Sequence, residues 1–278
     1  MTTPVNGIVV AEITAALDAL YPQETAESWD RVGLVLGRPE RPVRRALLVV
    51  DCVPATIAEA VAADAQMIIA HHPLLLRGVS SVAPTDYKGR AVHDLIEAGI
   101  ALYVAHTNAD VADPGVSDAL ARRLELENLR PLHPTAPGAS TGIGRVGNLR
   151  GVMTLAEFTA YAADRLPETV WGVRAAGDPN RTVITVAVSG GAGDSYLADA
   201  TAAGADVYLT ADLRHHPASE HLAGDGPALV DAAHWATERP WLDLVAAALG
   251  ADLGLDTIVS DVVTDPWTLH AARTGLER

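Results

Sequence analysis

Short, wholly apolar runs alternate with amphipathic stretches along most of this chain. Ala46-Leu-Leu-Val-Val-Asp51, apolar up to its closing aspartate, Met67-Ile-Ile-Ala70 and Ala101-Leu-Tyr-Val-Ala105 are apolar runs of strand length, the pattern of strands buried on both faces. Between them, Pro54 to Ala63 and Lys88 to Ala98 read as helices. Asp113-Pro114 opens another, with the proline near its first turn. The second half repeats the theme: a helix over Thr154 to Arg165, a strand over Thr182 to Ser189, and a Gly190–Gly193 turn into a helix. Strands over Val207–Thr210 and Ala228–Asp231 follow, then a helix over Trp241 to Leu249. Strands alternating with helices of this length predict parallel βαβ units and an α/β fold.

A length of 278 residues accommodates two domains, with enough buried surface for real cores. Leu132 to Gly147 breaks the alternation with prolines, glycines and little periodicity. It places the boundary there, with a first α/β domain over 1–130 and a second α/β part over 131–278. Hydrophobic residues make up 49% and charged residues 20%, which excludes a mainly disordered chain. The net charge of −15 leaves no basic face for duplex nucleic acid or an anionic membrane. The apolar runs are interrupted well short of a membrane span. The start of the chain lacks a basic region before its apolar stretch and carries Glu12 within it, unlike a signal peptide. A cytoplasmic protein is expected. Cys52 is the single cysteine, so neither a disulfide framework nor a cysteine zinc site can form, and at a strand end it reads as buried filler.

The histidines carry the chemistry. His71-His72 follows MIIA, His106 with Asp110 follows LYVA, and His234 with Glu238 follows ALVD. Sites in open α/β sheets form at the carboxyl ends of strands. Three loops delivering imidazole and carboxylate to such ends form the pattern of a metal centre with nitrogen and oxygen ligands. Neighbouring side chains at the end of an extended strand point apart, so His71 and His72 favour two ions over one. His234 and Glu238 are one helical turn apart, although Pro240 calls for a helix that begins near Thr237 or a kink there. His106 and His216 are candidate proton carriers. His215 and His216 could equally be surface residues, while His133 and His270 read as loop residues. Ser189-Gly-Gly-Ala-Gly193 is neither a P-loop nor GxGxxG and reads as a tight turn whose amides could receive an anion.

Several of these segments resemble, in order, the Nif-three-like family, also called GTP cyclohydrolase 1 type 2 homologues. They are AESWDRVGLVLG (26–37), IIAHHPLL (68–75), AHTNAD (105–110), GIGRVG (142–147), VAVSGGAGDSYL (186–197), ADVYLTADLRHH (205–216) and DAAHWATERP (231–240). The resemblance implies two α/β domains with a dinuclear centre between them, in a toroidal homohexamer. It places the metal ligands on His71, His72, Asp110, His234 and Glu238, with Glu238 between the two ions. Arg31, Ala233 and Trp235 stand where that family usually has Asn, Gly and Tyr, and no ligand is lost.

Two divalent ions, of Zn, Fe, Mn, Co or Ni, imply a metal-dependent hydrolase acting on a nucleotide or another phosphate-bearing small molecule. The alternative from another class is a metal-holding or regulatory hexamer that binds a protein partner and turns nothing over.

Overall fold

The computed structural model describes residues 7–271. The described residues divide into two compact units, one running to Val116 and including Arg239–Thr264, the other comprising Ser117–Glu238 with residues 265–271.

The first unit opens with α1 (Val10–Leu20) and β1 (Gly33–Leu36), then alternates β2 (Arg45–Val49), α2 (Pro54–Ala62), β3 (Met67–Ala70), α3 (Tyr87–Ala98), β4 (Ala101–Val104) and the short α4 (Thr107–Val111). The strands β2, β3 and β4 are parallel neighbours, and β1 adds antiparallel to β4. Alternate residues explain why these runs are apolar throughout. Leu47, Val49, Ile68, Ala70, Leu102 and Val104 share a core with Ile57 and Ala60 of α2 and with Ala91, Val92 and Leu95 of α3. The intervening Leu48, Ile69 and Tyr103 are buried as well, and the Tyr103 hydroxyl donates to Asp18 of α1 at 2.7 Å. Each such side chain contributes roughly 1.5–3 kcal/mol of burial. Helix α3 starts where Asp86 accepts from the Gly89 amide at 2.8 Å and stops at Gly99, whose φ of 69° is the left-handed turn a glycine takes freely.

The second unit holds α5 (Val116–Arg123), β5 (Glu127–Pro134), β6 (Gly142–Thr154), α6 (Leu155–Arg165), β7 (Val173–Ala176), β8 (Thr182–Ala192), α7 (Leu197–Ala202), β9 (Val207–Ala211), α8 (His215–Ala223) and β10 (Ala228–Ala232). Its sheet runs β5-β6-β8-β9-β10-β7, parallel only across β8, β9 and β10. Period-two alternation divides two cores. Val186, Val188, Val207, Leu209 and Val230 pack with Phe158 and Ala162 of α6, whereas Ala187, Tyr208 and Leu229 pack with Leu197 and Ala200 of α7.

The chain then forms α9 (His234–Leu253) and β11 (Asp256–Val259), and β11 pairs in parallel with β2 at the edge of the first sheet. Among the described residues no helix is long and apolar enough to cross a membrane.

Several expectations differ from this arrangement. The compact units part at Val116/Ser117 rather than at 130/131, and Arg239–Thr264 belongs with the first unit because β11 pairs with β2 and Trp241 Nε1 donates to the Tyr21 hydroxyl at 3.1 Å. The proline- and glycine-rich stretch read as a boundary is the β5–β6 hairpin, so His133 is a strand residue. Pro131 and Pro134 are tolerated there because β5 is an edge strand. Arg145 of GIGRVG is buried, donating to Asp118 and to the carbonyls of Gly142 and Gly144, so this motif braces the hairpin. The glycines of SGGAG lie largely in β8, which continues to Ala192, and α7 begins only at Leu197.

Candidate functional site

In the first unit the donors stand beyond the carboxyl ends of two adjacent parallel strands, β3 and β4. Beyond Ala70 the backbone leaves the strand, the His71 amide donating to Val49 O and that of His72 to Val50 O. The alternation that would aim His71 and His72 apart therefore ends at Ala70, and their rings lie 5.0 Å apart. The ring of His106, beyond β4, is 5.2 Å from that of His71 and 5.5 Å from that of His72. His71, His72 and His106 each offer a ring nitrogen within 4.8 Å of the others', a group that could hold a metal ion. Asp110 on α4 brings Oδ1 to 3.8 Å from His71 Nε2.

Each of these imidazoles is anchored through Nδ1. His71 reaches the Ala105 carbonyl at 2.9 Å, His72 the Asp51 carboxylate at 2.8 Å, and His106 the Asp30 carboxylate at 2.9 Å. A carbonyl or carboxylate only accepts, so Nδ1 is the donor in each bond, and in the neutral ring Nε2 is the nitrogen that can accept or ligate. Burial by itself would raise the Asp30 carboxyl. Hydrogen bonds from His106 and Thr107, with the attraction of His106, outweigh it and hold the group well below the usual carboxylate range. Trp29, beside Asp30 in sequence, is 53% exposed, with its ring 6.0 Å from that of His106 and nearly perpendicular to it.

In the second unit, α9 begins at His234 itself rather than near Thr237, so His234 and Glu238 share a face with Nε2 and Oε1 3.0 Å apart. The Thr237 hydroxyl donates to the His234 carbonyl and accepts from the Gly191 amide. His234 Nδ1 is 2.7 Å from Asp212, just beyond β9. The Glu238 carboxylate raises the His234 pKa most; burial opposes it and Asp212 adds to it, carrying the group up to about 11. Gly191, at φ 66°, lies so close that a Cβ would sit 2.5 Å from Glu238 Oε1 and 3.1 Å from His234 Nε2. The glycine turn is thus the wall of this donor pair. His216 stands exposed in the first turn of α8, its ring 5.2 Å from that of His215. Among the described residues it joins no group of donors close enough to share an ion. Burial, with Asp51 adding to it, pushes the Cys52 thiol up to about 12, as suits a core residue.

These donors fit a divalent cation: they combine imidazole and carboxylate, and each imidazole has its far nitrogen occupied by an acceptor, which aims the near one. Fold and donors together define an α/β protein of two sheets with histidine and glutamate groups that could bind a metal ion. The chain belongs to the Duf34/NIF3 (NGG1p interacting factor 3) family, whose model matches residues 8–266. A GTP cyclohydrolase 1 type 2 homolog of Streptomyces coelicolor is 55% identical over 272 residues, 95% of each chain. Its counterpart in Mycobacterium leprae is 34% identical over 374 aligned residues, covering 96% of this chain and 97% of that one. Among solved structures, a Bacillus cereus protein related to NIF3 superimposes with a TM-score of 0.88 at 25% identity, over 95% of this chain and all of that one.

Sequence reasoning missed Asp30, Asp51, Asp212 and Trp29. Trp29, Asp30 and Asp212 lie within recognisable motifs and Asp51 closes an apolar run, but the role of each depends on which histidine the fold brings to it, and no local spacing carries that.

Proposed function

We propose that this protein is a metal-dependent hydrolase of a nucleotide or another phosphate-bearing small molecule, with His71, His72, Asp110, His234 and Glu238 as ligands to two divalent ions. What supports it most is that four imidazoles at strand ends are all held at Nδ1 by carbonyl or carboxylate oxygens, the arrangement that metal-ligating histidines need. In this reading the protein acts in the cytoplasm, and it assembles as a homohexamer, as the family resemblance implies.

A divalent cation in such a donor set supplies Lewis acidity toward a phosphate or carbonyl oxygen. The chain's own residues supply the rest. His106 keeps its Nδ1 proton on Asp30 and can take a proton at Nε2 from a water molecule. Trp29 offers an exposed indole face on which a heteroaromatic base can stack, the feature that favours a nucleotide. His216 is the second proton carrier of this proposal.

The test combines elemental analysis with turnover assays of the metal-loaded protein on GTP, other nucleotides and phosphodiesters, with His72→Ala as control. The expected result is near two ions per chain and turnover that His72→Ala abolishes. Equal activity in the control refutes the mechanism, and bound metal without turnover on any substrate leaves the metal-holding role in its place.

A further inference from the structure

His72 is held from behind by residues of two other strand ends. Asp51, two residues beyond β2, sets Oδ1 at 2.8 Å from His72 Nδ1, and its second carboxylate oxygen accepts from the Thr264 hydroxyl. Thr264 follows β11, the strand parallel to β2 on the side away from β3. The Asp51 loop is itself tied down, its carbonyl accepting from Thr56 Oγ1 at 2.8 Å, and Ser260, at the end of β11, donates to Glu59 of α2 at 2.5 Å. Three neighbouring strands thus contribute one link each to a line running Thr264, Asp51, His72. At His71 the acceptor facing Nδ1 is the neutral carbonyl of Ala105.

A carboxylate is a stronger acceptor than a carbonyl. It fixes the imidazole tautomer and makes the far nitrogen a better electron donor. Thr264 restrains the carboxylate in turn, by occupying the oxygen that would otherwise let it rotate away. We infer that Asp51, buttressed by Thr264, is a positioning residue that fixes the tautomer and direction of His72 for a divalent cation. The segment after β11 thereby sets the affinity of one ion. This rests on the metal-binding reading of His72 given above.

The experiment uses Co(II) as the probe on the full-length protein, followed by calorimetry and by the visible ligand-field absorption, with melting of the metal-free protein measured in parallel. Asp51→Asn keeps size and one acceptor oxygen but can force the wrong tautomer. It is expected to weaken one of the two ions roughly 10–100-fold and to alter the cobalt band, with metal-free melting unchanged. Thr264→Val should give a smaller loss of the same ion, and Thr264→Ser should restore wild-type affinity and spectrum. Wild-type cobalt affinity and spectrum in Asp51→Asn would overturn the inference. So would equal weakening of both ions together with a fall in metal-free melting temperature, which would make Asp51 a purely structural residue. His72→Ala separates the two levels. Cobalt binding lost there but intact in Asp51→Asn refutes the positioning role alone, whereas cobalt binding unaffected by His72→Ala removes the metal reading and the inference with it.

Discussion

Gly191 shows how much can depend on a missing side chain. Its φ of 66° and the 2.5 Å that would separate a Cβ from Glu238 Oε1 leave no room for alanine. Left-handed strain alone costs an L-residue roughly 1–2 kcal/mol, so Gly191→Ala should lower the melting temperature and reduce metal content, both measurable on the purified variant. His234 makes a second prediction. Without metal it is raised from 6.5 to about 11, so its pairing with Glu238 stabilises the fold fully below pH 6.5 and is lost as pH rises through about 11. Asp30, held below its ordinary 3.8, works on the other side: its contribution is present above that value and is lost as the pH falls further. A cation ligated by His234 must replace the Nε2 proton, so metal uptake at pH 7 should release about one proton from this residue, and affinity should rise about tenfold per pH unit. Calorimetry in buffers of different ionisation enthalpy measures the release; pH-independent uptake without it would remove His234 from the ligand set.

At the scale of elements, local signals and sheet position decide different things. Helix α6 starts where Thr154 Oγ1 accepts from the Glu157 amide at 3.2 Å while Glu157 returns a bond from the Thr154 amide at 2.8 Å. This capping box was readable in the sequence as Thr-x-x-Glu before an apolar run. Thr154→Ala should cost about 1 kcal/mol and lower the melting temperature by about 2–4 °C while leaving metal binding unchanged. The β5–β6 hairpin was not readable, because Pro131 and Pro134 look like breakers until β5 is known to be an edge strand. The start of α9 at His234 escaped in the same way. Pro240 argued for a later start or a kink, yet the helix already begins at His234, with Thr237 bonding the His234 carbonyl.

For the whole molecule, the proposed ligand set predicts that chelation lowers stability: ions bound only by the native state at 100 times Kd contribute about 2.7 kcal/mol. His71→Ala should retain about one ion per chain where the native protein holds near two, as elemental analysis would show, and one ion in both would sink the dinuclear reading. Light scattering should find six chains per particle. Much of this protein was already determined by its sequence. Buried strands such as β3 and β4 declare themselves as unbroken apolar runs, because a strand covered on both faces has no polar side to show. The histidines at their carboxyl ends declare themselves because sites form there. Other features were decided only in three dimensions. Arg239–Thr264 goes with the first unit because β11 finds its partner in β2, more than 200 positions away in the chain. His71 and His72 turn toward the same group because the strand ends at Ala70. Asp51 meets His72, and Asp212 meets His234, across neighbouring strand ends. Periodicity along a chain records which residues are buried, but strand order and the contacts it creates depend on pairing between distant segments, which leaves no local trace.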